Sequence, residues 1–133
     1  MKKSSLILLG SGGHAKSCIN LIESLDNLKI EGILSEKKEL DKEILGYPVI
    51  GTDEDLINLA SESTRAIVAL GQIKSAKKRI KLYEIMKSLD MCSEPIISPF
   101  ASISDHTNIG DATVVMHGAL INANVGSNIV KFK

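Results

Sequence analysis

Apolar residues of this chain fall into short runs, each closed by a turn residue, with helical stripes between them. Leu6-Ile7-Leu8-Leu9 is continuous and is stopped by Gly10. A run that is apolar at every position leaves no face for water, so it predicts a strand covered on both sides, as in a parallel sheet. After Gly10-Ser11-Gly12-Gly13, the apolar positions Cys18, Leu21, Ile22 and Leu25 recur at helical spacing, which predicts a helix with one buried stripe. A second strand is predicted at Ile30 to Leu34, followed by a charged, solvated loop from Ser35 to Glu43. Tyr47 to Gly51 reads as a short extended piece leading into a turn. Thr52 is placed to cap a helix, Asp53, Glu54 and Asp55 favour its positive end, and Leu56, Leu59 and Ala60 form its apolar side. Ala66-Ile67-Val68-Ala69-Leu70 is another buried-strand run, closed by Gly71. A helix follows, with Ala76, Ile80, Tyr83 and Met86 on its apolar side and Lys77, Lys78, Lys81 and Lys87 toward water. Cys92 to Ile97 reads as a last strand.

Strands alternating with helices predict an α/β fold. Residues 1–95 are expected to form a Rossmann-like parallel sheet of about four strands with flanking helices. From residue 96 to 133 the period changes. Ile97, Ile103, Ile109, Val115 and Ile121 are spaced by six, with small residues such as Ala101, Gly110, Ala112 and Gly118 between them. A period of six with a branched aliphatic at each start is the signature of hexapeptide-repeat coils, each aliphatic pointing to the coil axis. Residues 96–133 are therefore expected to be the first one to two coils of a left-handed β-helix. The period then breaks: Val125 arrives two residues ahead of the register position Ser127, and Lys131-Phe132-Lys133 is basic and non-repeating.

Composition narrows the partners. Sixteen Lys and Arg balance sixteen Asp and Glu among 133 residues, so neither nucleic acid nor an anionic membrane is expected as a partner, and any anion site must be local. No stretch approaches the roughly 18 apolar residues of a membrane span. Leu6 to Leu9 ends in glycines without a cleavage-site pattern, so the expected location is the cytoplasm. Cys18 and Cys92 make neither a disulfide framework nor a metal pattern; both read as small buried hydrophobes, and no metal is expected.

The candidate chemistry begins at Gly10-Ser11-Gly12-Gly13-His14-Ala15, which fits G-x-G-x-x-G/A between a strand and a helix. Gly10 permits the tight turn, Gly12 lets backbone approach a pyrophosphate, and Ala15 permits close helix–strand packing. Amide N–H groups at the helix start then bind phosphate without a side-chain cation. Ser35 and Glu36 end the second strand, where an acidic residue can bond a ribose hydroxyl. Leu70, Gly71 and Gln72 close the third strand run on the same sheet edge. His14, beside the glycine turn, is placed to touch a phosphate or a sugar. His106 and His117 read as surface residues, and no catalytic residue is assigned.

Five segments carry a resemblance when taken in order: Gly-Ser-Gly-Gly-His-Ala-Lys at 10–16, Gly-Tyr-Pro-Val-Ile-Gly at 46–51, Ala-Leu-Gly-Gln at 69–72, Ile-Ser-Pro-Phe-Ala at 97–101 and Gly-Ala-Leu-Ile-Asn-Ala-Asn at 118–124. The chain resembles the bacterial sugar acetyltransferases that include sialic acid O-acetyltransferase and the UDP-4-amino-sugar N-acetyltransferase of the bacillosamine pathway. The resemblance implies a nucleotide-sugar-binding front domain, a trimeric left-handed β-helix, acetyl-CoA as co-substrate between subunits, and a histidine general base on a coil. It implies that Gly10, Ser11, Gly12, Gly13 and His14 line the phosphate and sugar site for a UDP- or CMP-sugar, and that Gly71 and Gln72 flank the nucleotide. Ser35-Glu36 stands where some relatives have an acidic pair, and Ser98 stands where the family often has His before Pro. The catalytic histidine of the family would fall beyond Lys133, so the expectation is a chain that binds nucleotide sugar, with an incomplete acetyl-CoA groove and no acetyl transfer of its own. Two other readings compete: a non-enzymatic binding or scaffold module pairing with a copy or a full-length relative, and a fragment of a nicotinamide-dependent oxidoreductase.

Overall fold

The computed structural model describes residues 4–61, 63–70, 77–105, 114–115 and 120–121. The chain forms two compact units, Met1–Cys92 and Ser93–Lys133. The first holds β1 (Ser4–Leu9), α1 (Gly13–Glu23), β2 (Leu28–Ser35), β3 (Glu43–Ile44), β4 (Tyr47–Thr52), α2 (Leu56–Leu59), β5 (Thr64–Val68) and α3 (Lys77–Ser88). Short 3-10 turns occupy Lys37–Glu39 and Asp53–Asp55.

The sheet runs in the order β3-β4-β2-β1-β5. β4, β2, β1 and β5 are mutually parallel, and only the edge strand β3 is antiparallel. Leu6, Ile7, Leu8 and Leu9 are each at most 2% exposed although successive strand residues face opposite sides. Both faces of the sheet are therefore covered, as the unbroken apolar run requires. Ala15, Cys18, Ile19, Leu21 and Ile22 supply the buried stripe of α1.

Three expectations need correction. The fourth parallel strand is β4, not Cys92 to Ile97. In β4 burial alternates, Val49 and Gly51 inward and Pro48 and Ile50 outward, so it shows no continuous apolar run. Pro48, which has no N–H, sits opposite Glu43 on the edge hairpin, where a missing donor is tolerated. Cys92 makes only an isolated bridge to Ala66. In α3 the buried residues are Leu82 and Met86, while Ile80 is exposed; the helix is as read, but its inward face is turned toward Leu82. Cys18 is buried, whereas Cys92 is half-buried.

β3 and β4 are joined by Leu45 and Gly46, both at positive φ (51° and 90°). Two central residues at positive φ make the tight hairpin turn whose twist matches the strands it joins.

In the second unit the described strands are β6 (Ile96–Ile97), β7 (Ser102–Ile103), β8 (Val114–Val115) and β9 (Leu120–Ile121). β6 pairs with β8 in parallel, Ile96 opposite Val114, and β7 pairs with β9, Ser102 opposite Leu120. Each pair is offset by 18 positions (114 − 96 and 120 − 102), three hexads. In β6 it is Ile96 that is buried, with Val114 buried opposite it, while Ile97 is exposed. The buried register in this strand is thus one position ahead of the six-residue series that starts at Ile97, because adjacent strand residues cannot share a face. Ser98 is buried and accepts the Phe100 N–H through its Oγ at 3.0 Å. His106 and His117 lie outside the described residues.

Candidate functional site

The parallel strands all end on one edge, and the chain reverses its strand order there: β2 and β4 lie to one side of β1 and β5 to the other. Open α/β sheets bind ligands at this edge, outside the carboxyl ends of the strands at the point of reversal. Gly10 leaves β1 at φ +131°, and a Cβ there would meet the Ala69 carbonyl oxygen at 2.8 Å. Both the dihedral and the crowding require glycine. The turn is held on both sides, since the Gly10 N–H donates to the Leu34 carbonyl at 2.9 Å and the Ala69 N–H to the Leu9 carbonyl at 2.8 Å.

Gly12 precedes α1, and no side chain caps the helix start. A Cβ on Gly12 or Gly13 would meet nothing within 4 Å among the described residues. N–H groups at a helix start favour an anion. Ser11 Oγ lies 2.6 Å from Ser35 Oγ, tying the glycine turn to the end of β2. Ala15 is fully buried, as close helix–strand packing demands.

Gly10, Ser11, Gly12, Ser35, Glu36 and Leu70 line one cleft of about 220 Å³. Four residues join them that sequence reasoning missed: Lys38, Glu39, Asp53 and Lys78. The cleft shares Ser35, Glu36, Asp53 and Lys78 with a larger groove of about 920 Å³, which runs on past Leu40, Leu82 and Ile85. Asp53 arrives because β4 is a sheet strand whose end falls on the same edge; its sequence context explained it fully as a helix-start acid. Lys38 and Glu39 lie in the charged loop and Lys78 on the helix face read as pointing to water, so no local pattern marked them. Gly13 and His14 lie on α1 beside the cleft rather than in its lining. Gly71 and Gln72 lie outside the described residues.

The cleft is electrostatically divided. Lys78 Nζ lies 4.0 Å from Glu36 Oε1 and 3.8 Å from Asp53 Oδ2, and Lys38 Nζ lies 3.3 Å from Glu36 Oε2. Burial pushes the Asp53 carboxyl above the usual carboxylate range; Lys78 pulls it back, and Glu36 and Glu54 push it further up. His14 is held below its ordinary value, first by burial and then by the Arg79 guanidinium, which makes it a neutral hydrogen-bonding group near pH 7. Its Nε2 lies 3.7 Å from Cys18 Sγ, and burial pushes that thiol up to about 12. Cys18 therefore stays protonated and is no nucleophile. Among the described residues, no group of His, Cys, Asp and Glu could hold a metal ion, and no helix is long and apolar enough to cross a membrane.

The model of the PglD N-terminal domain family matches residues 5–97. The chain is similar to PerB from Caulobacter crescentus, solved with CoA and GDP-perosamine, at 29% identity and a TM-score of 0.76, over 90% of this chain and 55% of that one. A single-residue variant of the perosamine N-acetyltransferase from Caulobacter crescentus, also solved with CoA and GDP-perosamine, gives 28% identity and a TM-score of 0.78 over the same shares. The acetyltransferase domain of PglB from Neisseria gonorrhoeae, solved with acetyl coenzyme A, is 30% identical with a TM-score of 0.76, over 91% of this chain and 57% of that one. The chain spans just over half the length of these solved relatives. No curated protein matches it. The chain belongs to the PglD N-terminal domain family, the N-terminal domain of bacterial sugar N-acetyltransferases.

Proposed function

We propose that this chain is the nucleotide-sugar-binding part of an acetyl-CoA-dependent sugar N-acetyltransferase. The observation that carries the proposal is the cleft at the strand ends, where Gly12 at the N-cap of α1, the Ser11–Ser35 pair and Glu36 line one space. The amides of α1 would hold the phosphates, Glu36 would accept a hydrogen bond from a ribose hydroxyl, and the wider groove would take the base against Leu40 and Ile85. His14, Gly71 and Gln72 would flank the ligand. GDP-perosamine on the Caulobacter relatives supports an amino-sugar nucleotide as the ligand class; UDP- and CMP-sugars are the alternatives to compare with GDP-sugars. Acetyl-CoA would supply the acyl thioester, and no described groove residue is assigned to it.

In this proposal residues 1–95 bind the nucleotide sugar and residues 96–133 form coils of a left-handed β-helix. The 18-residue offset of both parallel ladders supports the coil reading, since three hexads close one triangular turn. Acetyl transfer is assigned to the stretch of the relatives that this chain does not span, and assembly as a trimer, measurable by light scattering, belongs to the same proposal. The glycine turn on its own would also suit a nicotinamide cofactor, but the matched structures carry acetyl-CoA, CoA and a nucleotide sugar.

Calorimetric titration with UDP-, GDP- and CMP-sugars tests the binding step. Gly12→Asp puts a carboxylate into open space at the anion end of the cleft. The variant should melt like the parent chain and lose at least about tenfold in affinity, as a like charge beside a phosphate does. Unchanged affinity in that variant would remove the glycine turn from the site.

A further inference from the structure

The groove poses an electrostatic problem for an anionic ligand. Among the described residues, its narrow part carries three carboxylates, Glu36, Glu39 and Asp53, against two ammonium groups, Lys38 and Lys78. Lys38 is engaged with Glu36 at the rim. Lys78 differs from it in two ways: it lies within 4.0 Å of both Glu36 and Asp53, and it lines both the narrow cleft and the wider groove.

We infer that Lys78 determines the ligand charge this groove accepts: it neutralises Glu36 and Asp53 and presents the ammonium that a diphosphate meets on entry. This rests on the nucleotide-sugar reading and adds a residue that reading does not require. Without Lys78, Asp53 would face the phosphates without the ammonium 3.8 Å away, and Glu36 would keep Lys38 alone of the two. A neutral nucleoside, which needs only the base and ribose contacts, would be nearly indifferent to the change. Lys78 is half exposed, so its replacement leaves the core untouched.

The test is calorimetry with four probes, UDP and GDP beside uridine and guanosine, on the parent chain, Lys78→Gln, Lys78→Arg and the double variant Lys78→Gln/Asp53→Asn. Lys78→Gln should weaken the tighter-binding diphosphate about tenfold or more, the usual loss when a charged partner is removed, while its nucleoside changes less than about twofold. Lys78→Arg should recover most of the loss. The double variant should recover part of it, because one of the two repelling carboxylates is gone. Equal weakening of diphosphate and nucleoside would make Lys78 a structural residue and overturn the inference, as would no weakening at all; both leave the nucleotide-sugar reading standing. A parent chain that binds none of the four probes and no CMP-sugar removes that reading, and the inference with it.

Discussion

Glycines in this chain do unlike work, and substitution separates them. At Gly10, positive φ and the nearby Ala69 carbonyl both oppose a side chain. Gly10→Ala should cost about 2–3 kcal/mol in urea unfolding, from a strained dihedral plus a forced shift of β5. Gly12→Ala meets open space, so its stability should stay within about 0.5 kcal/mol of the parent. His14 gives a pH test. Its folded-state value lies below 6.5, so between 6.5 and that lower value the unfolded chain binds the proton more readily than the folded chain. Stability should therefore fall as pH drops from 6.5 through that window and level off beneath it. Comparing urea midpoints at pH 7.5 and 5.5, His14→Gln should show a smaller drop than the parent. A parent as stable at pH 5.5 as at 7.5, with an identical variant, would count against a desolvated His14.

Elements were legible where hydrophobic pattern alone decides them. Leu6 to Leu9, Gly32 to Leu34 and Ala66 to Ile67 are buried on both faces, and the runs that contain them read directly as β1, β2 and β5. β4 was harder because its placement depends on partners: with one side open it alternates, and Pro48 argues against a strand until the edge hairpin is known. The same reason hid half of the cleft. Gly10, Ser11, Gly12, Ser35, Glu36 and Leu70 follow from a local motif and strand ends. Asp53 and Lys78 enter only through tertiary packing, which no window along the chain records. The hairpin offers its own test. Leu45 holds φ 51° with its side chain half exposed, a conformation that costs a branched residue about 1–2 kcal/mol and suits Asn much better. Leu45→Asn should raise the urea midpoint, with a gain of about 0.5–1 kcal/mol; a loss would mean that the Leu45 side chain packs more than its exposure suggests.

For the whole molecule, every described residue lining the cleft belongs to the Met1–Cys92 unit. Residues 1–92 expressed alone should melt cooperatively and bind the preferred nucleotide within about threefold of the full chain. Loss of binding in a folded 1–92 chain would mean that the remaining residues help to form the site. The second unit obeys a different rule of growth. Its ladders join positions 18 apart, and a slip of one residue in a strand exchanges its two faces. A shift of Val114 by an odd number of residues against Ile96 would turn it outward, and an even one would still break the 18-residue register. Length can change there without unpicking the ladder only in whole turns, so evolution or an engineer extending this end would have to count in eighteens.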